Sequence, residues 1–428
     1  RASSVALLPM YFPGNFYPLA SPLMMTAVAD LPVSSAATAP EAFDFDELLS
    51  RVHAIGRDVL AVHAGDVDRR ARFPVESITA MKEAKLLSAY VPVEYGGMGL
   101  NMIETSRLCE AMGQYCGSSA MIYAMHCIQV ACVVHHAQQS AYFRRYLRDL
   151  VTEQRLMASA TTEIGTGGDL RSSVCAIEVS GDCFTLTKKA PVISYGEYSD
   201  DILVTCRRSP DAPASEQVQV MVRRGEYTAE PLSTWDTMGF RGTCSSGFTL
   251  TSHGSTDQIL PTPFNDILSQ TMHPYSHIVW GALWTGIAAD AVNQARAFVR
   301  AEARKTPGET PISAIRLAEV DLVLQEMRHN VYSLAREYNE LLSSDSRESI
   351  HGFGFSIRTN NLKLSCSQRI VEIVGQALLI CGIQGYRNDS KFSLSRHLRD
   401  SYGAALMVNN DRITKLNATM LLAHREGH

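Results

Sequence analysis

Two side chains in this chain have the type and surroundings for acid–base work, His277 and Asp411. His277 lies in Ser276-His277-Ile278-Val279-Trp280-Gly281, and an imidazole with an intrinsic pKa of about 6.5 serves as acid or base near neutrality. A histidine at a helix start also serves as a cap or a satisfied core group, so both roles stay open. Asp411 ends the run Val408-Asn409-Asn410-Asp411, either as a proton acceptor or as a capping group or ion-pair partner of Arg412 or a partner chain. His397 stands beside Arg399-Asp400 with no visible partner. The segment Thr162-Glu163-Ile164-Gly165-Thr166-Gly167-Gly168-Asp169 mixes hydroxyls with glycines. That composition suits either close approach of the main chain to a ligand or a plain surface turn. No metal site is expected, because the ten cysteines form no CxxC pair and no Cys/His grouping at ligand spacing. They read as reduced, mostly buried thiols in a cytoplasmic protein.

The elements that must position these groups follow from the spacing of apolar residues. From Phe43 to about Leu150 the period is helical, as in Leu48-Leu49-Val52-Ile55-Val59-Leu60 and Ile103-Leu108-Met112. Between about Leu156 and Leu260 short alternating runs predict strands at 174–179, 184–187, 202–205, 218–222 and 247–251. The helical period then returns over 279–303, 315–342, 362–379 and 404–422, with a loop near 342–354. The expected domains are a disordered N-terminal extension over 1–43, a helical domain over 44–155, a β domain over 156–262 and a helical bundle over 263–428. Prolines interrupt every apolar patch of the first 43 residues, which argues against a signal peptide there; Met24 or Met25 is a candidate natural start with an upstream extension in front. No later stretch reaches about 18 consecutive apolar residues, so no membrane span is expected. A net charge of −5 gives no general attraction to nucleic acid or anionic lipid.

Several motifs carry a family resemblance. Pro92-Val93-Glu94-Tyr95-Gly96-Gly97-Met98-Gly99-Leu100 looks like a P-x-x-Y-G-G-x-G-L turn, and residues 162–169 look like a T-E-x-G-x-G-S-D loop with Gly168 in place of the serine. Val192-Ile193-Ser194-Tyr195-Gly196 stands where W-I-T-N-G is usual. Ala303-Arg304-Lys305-Thr306-Pro307-Gly308 is similar to E-R-K-T-F-G. The segment from Gln376 through Cys381-Gly382-Ile383-Gln384-Gly385-Tyr386 is similar to Q-I-x-G-G-x-G-Y, with Ile383 in place of the second glycine. Over most of its length the chain resembles the acyl-CoA dehydrogenase family of flavoproteins.

That resemblance implies an α+β fold with an N-terminal helical domain, a central β-barrel-like domain and a C-terminal four-helix bundle. It implies FAD as cofactor, with Thr162, Gly167, Gly168 and Ser194 near the flavin ring. Arg304, Gln376 and Gly382 would reach the phosphate and adenosine part across a subunit contact, in a homodimer or homotetramer. An Arg fork suits a diphosphate through charge-assisted bonds. The implied substrate is an acyl thioester, carried by CoA or by a carrier protein.

The resemblance also exposes a departure. Counting the R-D-x7-E arrangement from Arg399-Asp400 places Val408 where the family has its catalytic glutamate, and the alternative position on an earlier helix falls on Ser276. Ser276, Val408 and Asn409 are thus expected to face the substrate. A positioned base contributes about 10²–10⁴-fold to proton abstraction, so its loss changes the chemistry. Three readings follow. The chain oxidises an acyl thioester with Asp411, His277 or another group as base. It is an oxygen-activating mono- or dioxygenase on the same fold, which needs no α-proton abstraction. Or it binds thioesters without redox chemistry. If the last segment stays helical, Asp411 lies one turn beyond Val408 on roughly the same face.

Overall fold

The computed structural model describes residues 43–305, 308–344 and 347–424. The expected extension, apart from Phe43, and the Thr306-Pro307 part of the arginine motif lie outside the described residues. The chain runs through α1 (Phe45–Ile55), α2 (Ala61–Arg70), α3 (Val75–Glu83), α4 (Met102–Gly113), α5 (Gly117–His136) and α6 (Ala141–Glu153). Among the described residues seven strands follow: β1 (Met157–Ala160), β2 (Ile177–Ser180), β3 (Cys183–Ala190), β4 (Asp201–Arg207), β5 (Gln217–Arg223), β6 (Tyr227–Ser233) and β7 (Gly247–Ser255). The rest is helical: α7 (Phe264–Ile267), α8 (His273–Ala303), α9 (Ile312–Ser343), α10 (Phe353–Cys381), α11 (Ile383–Tyr386), α12 (Ser395–Leu406) and α13 (Asn410–Ala423).

Local chemistry fixes the ends of these elements. Asn101 caps α4 in a reciprocal box, accepting from Glu104 N at 3.0 Å while Glu104 Oε2 accepts from Asn101 N at 2.9 Å. Helix α5 is buried nearly all round and forms the middle of the core. By length and composition α5 and α10 would each span a membrane, but 94% of the apolar window of α5 is buried inside the protein, against 44% for α10. Neither has an unbroken apolar run, because Ser, Gln and His residues interrupt α5 and Arg358, Lys363, Arg369 and Glu372 interrupt α10. Helices α4 and α8 cross backbone to backbone. A Cβ on Gly113 would stand 2.4 Å from the Leu283 carbonyl oxygen, and one on Gly286 would stand 2.1 Å from that of Glu110.

The strands form two sheets. One has the order β1-β4-β5, with β1 parallel to β4; the other is antiparallel with the order β2-β3-β7-β6. β4 and β5 are buried almost throughout, whereas β3 alternates exposed and buried residues. Two strands escape the sequence reading. β1 is the weak strand former Met-Ala-Ser-Ala, held by its parallel pairing, and β6 is an exposed edge carrying Pro231 at an irregularity. All ten cysteines are unpaired, with Cys183 exposed and Cys244 half-buried.

The expectation of one helix over 404–422 is overturned. Helix α12 ends at Leu406, Val408 takes φ +46°, and α13 starts after Asn409, whose side chain accepts from Asp411 N at 2.8 Å. A capping asparagine competes with helix continuation, and here it wins. Asp411 therefore does not share a helix face with Val408. The segment expected as a loop over 342–354 contains a short 3₁₀ turn, Arg347–His351.

Candidate active site

A cavity of about 690 Å³ lies where the strand ends meet the bundle. Its size falls within the range of about 300–1,000 Å³ usual for small-molecule sites. Helix α5 contributes Met125 and Gln129, the start of α8 contributes His273, Ser276, His277 and Trp280, and the end of α12 with its break contributes Leu406, Met407 and Val408. A π turn, Leu268–Met272, leads into α8, and both its end residues reach the wall.

The 162–169 loop is locked from beneath. Glu163 accepts from Val174 N at 3.0 Å and Cys175 N at 2.6 Å, and the buried Lys188 ammonium is 3.6 Å away. Gly165, Gly167 and Gly168 all have positive φ, and Arg412 of α13 donates to the carbonyls of Gly167 and Gly168. A Cβ on Gly168 would stand 2.9 Å from Arg412 Nη1. The arginine occupies the space that a serine side chain would need.

Of the sequence-derived candidates, Thr162, Gly168, Ser194, Ser276, His277 and Val408 come together on the cavity wall. Ser194 Oγ accepts from Ser245 Oγ at 2.9 Å and keeps its own proton. Tyr195 turns into the core, where its hydroxyl donates to Met157 O at 2.9 Å, and Val192 lines the cavity. Gly167 is held by Arg412 but does not line the cavity. Asn409 and Asp411 are exposed at the start of α13, off the wall. Asn409 turns its side chain back to cap the helix, and Arg412 bonds the glycine loop rather than Asp411. As pocket residue and base, respectively, Asn409 and Asp411 are corrected by this geometry.

Arg304 caps the far end of α8, about 40 Å along the helix from Ser276 at 1.5 Å per residue. Gln376 and Gly382 are exposed toward the C-terminal end of α10, also away from the cavity. Sequence reasoning missed Gln129, Trp280 and Lys363. Lys363 had one available signal, a polar row Asn360-Lys363-Ser367 in an otherwise apolar helix.

Among the described residues, four titratable side chains line the cavity: Glu163, His273, His277 and Arg399. Glu163 is engaged as above, Arg399 Nη1 donates to Asp68 Oδ1 at 2.8 Å, and His273 Nε2 meets Asn360 Oδ1 at 2.8 Å. His277 Nδ1 meets Ser276 Oγ at 3.1 Å, while its Nε2 is buried without a partner. Burial, followed by the charges of His273 and Lys363, holds the His277 imidazole well below its usual pKa, so it is neutral at pH 7.

A flat apolar ring with a polar edge fits this wall. Thr162 and Ser194 offer hydroxyls, the glycine loop lets the main chain approach, and Gln129 Oε1 and Trp280 Nε1 are buried polar atoms lacking partners. A diphosphate finds less here, because Arg399, the single guanidinium on the wall among the described residues, is paired with Asp68.

The acyl-CoA dehydrogenase N-terminal domain model matches residues 44–154, and the C-terminal domain model of the same family matches residues 270–407. The chain belongs to the acyl-CoA dehydrogenase family. It is 24% identical over 383 residues to the probable acyl-CoA dehydrogenase FadE25 of Mycobacterium tuberculosis, covering 87% of this chain and 94% of the relative. Among solved structures, butyryl-CoA dehydrogenase from Megasphaera elsdenii superposes with a TM-score of 0.76 at 18% identity, over 90% of this chain and 100% of that one. Dibenzothiophene monooxygenase TdsC from Paenibacillus sp. A11-2 superposes equally well, with a TM-score of 0.76 at 17% identity over 89% and 98%. These two likenesses show the fold. As a family member the chain is an enzyme of the flavin oxidoreductase kind.

Proposed function

We propose that the chain oxidises an acyl thioester, with FAD as the flavin and His277 as the proton acceptor. One observation carries this reading. Among the described residues, His277 is the cavity-lining titratable group whose ring nitrogen has no partner, while the one carboxylate there, Glu163, is bound to two backbone amides. The curated relatives named as acyl-CoA dehydrogenases align along 87% of the chain, which supports a thioester substrate. A bound flavin would supply the two-electron acceptor. Thr162, Ser194 and Gln129 would hold its polar edge, Trp280 and the methionines of α5 would exclude water, and His277 Nε2 would take the α proton. Arg304, Gln376 and Gly382, exposed and remote from their own cavity, would serve the flavin of a neighbouring subunit in a dimer or tetramer.

A second reading, oxygen transfer, draws on a specific observation. An imidazole held well below its usual pKa is a weak acceptor for a weakly acidic α proton, and Val408 lines the wall where the family's carboxylate is expected. The deciding experiment mixes FAD-loaded protein anaerobically with a panel of acyl-CoA thioesters. Bleaching of the flavin with an enoyl product, lost in His277→Gln, supports the first reading. No bleaching by any thioester, with ¹⁸O from ¹⁸O₂ appearing in product, supports the second.

A further inference from the structure

Lys363 is fully buried on α10, and among the described residues no carboxylate forms an ion pair with it. Its Nζ donates to Val408 O at 2.9 Å and to Asn410 Oδ1 at 2.6 Å. A buried ammonium usually has a counter-ion; this one is satisfied by dipoles on either side of the α12–α13 break. Val408, between them, has φ +46°, a left-handed conformation that a β-branched residue adopts only when its surroundings impose it. One turn along α10, Ser367 Oγ accepts from Asn410 Nδ2 at 3.1 Å. On the same face Asn360 donates to Asn417 Oδ1 at 2.8 Å and meets His273 on the cavity wall at 2.8 Å. The polar row of α10 thus ties α13 and the break to the cavity.

We propose that Lys363 is a positioning residue that holds the α12–α13 break in its strained form and so sets the cavity wall made by Leu406, Met407 and Val408, which limits how the acyl chain is seated. The part concerning the acyl chain rests on the thioester reading; the backbone part does not.

Hydrogen exchange on the full FAD-loaded chain tests the backbone part. Lys363→Met and the milder Lys363→Gln should speed exchange of the amides over 407–412 by about tenfold or more, with α5 unchanged. Glycine adopts the left-handed region freely, so Lys363→Met should cause a much smaller increase in a Val408→Gly background. Unchanged exchange in both Lys363 variants, or equal increments in the two backgrounds, overturns the proposal. For the wall, KM for the thioester should rise about tenfold with kcat held within about twofold. An unaltered KM beside accelerated exchange overturns that part alone. If thioesters are not substrates, exchange still decides the role of Lys363.

Discussion

His277 Nδ1 lies 3.1 Å from Ser276 Oγ, and the Ser276 hydroxyl is itself donated to the His273 carbonyl at 2.9 Å. The serine oxygen is left to accept, so Nδ1 carries the ring proton and Nε2 is the bare nitrogen. Ser276 is not a base, but it sets which nitrogen of its neighbour is free to accept a proton.

Replacing His277 by Gln should therefore slow thioester-dependent flavin reduction by about 10²–10⁴-fold while flavin stays bound. Ser276→Ala, which frees the tautomer, should have a smaller effect in the same direction. Anaerobic stopped-flow absorbance measures both.

Val408→Glu restores a carboxylate to the wall, beside a backbone carbonyl that already receives the Lys363 ammonium. Exchange of the substrate α hydrogen with D₂O should rise at least about tenfold over wild type. Mass spectrometry of recovered thioester reports it, and no rise would mean that the α carbon does not sit against Val408.

Gly168→Ser puts a side chain at φ +79°, and its Cβ would collide with Arg412. The left-handed strain alone costs about 1–2 kcal/mol, and Arg412 must leave the two glycine carbonyls. Flavin retention on gel filtration should fall, and Arg412→Ala should restore part of it in the double variant.

Much of the architecture was legible in the sequence because helix and strand periods differ and glycine motifs mark the joints. The reading failed where tertiary pairing overrode local preference. β1 is held by its parallel neighbour β4, and the helix expected over 404–422 is broken by the Asn409 cap and the Lys363 bond to Val408. Among the residues on the cavity wall, Thr162, Ser194 and His277 were recognisable by type. Lys363, which donates to the wall residue Val408, was not, because a lysine in a helix reads as solvated until its burial is known.

Burial lowers the Lys363 pKa from 10.5 to about 8. Between those values the unfolded chain holds a proton that the folded chain has released, so this site adds stability as pH rises from about 8 toward 10.5. Below about pH 8 its contribution is flat. The unfolding free energy of wild type relative to Lys363→Met should thus increase across that window in urea titrations.

His126 joins three elements, meeting Leu87 O at 2.6 Å through Nε2 and accepting from Met157 N at 3.0 Å through Nδ1. Burial pulls its pKa down to about 4, so the unfolded chain binds the extra proton first and stability falls as pH drops from about 6.5 toward 4. His126→Ala should cost about 1–3 kcal/mol at neutral pH and give a shallower acid limb in thermal unfolding.

The glycine-to-carbonyl crossing of α4 and α8 joins stretches of chain far apart in sequence and fixes the helix that carries His277. The cavity cannot assemble during synthesis until the second of these stretches has left the ribosome. A nascent N-terminal half would wait with its mating groove uncovered, an interval in which chaperone capture competes with productive docking.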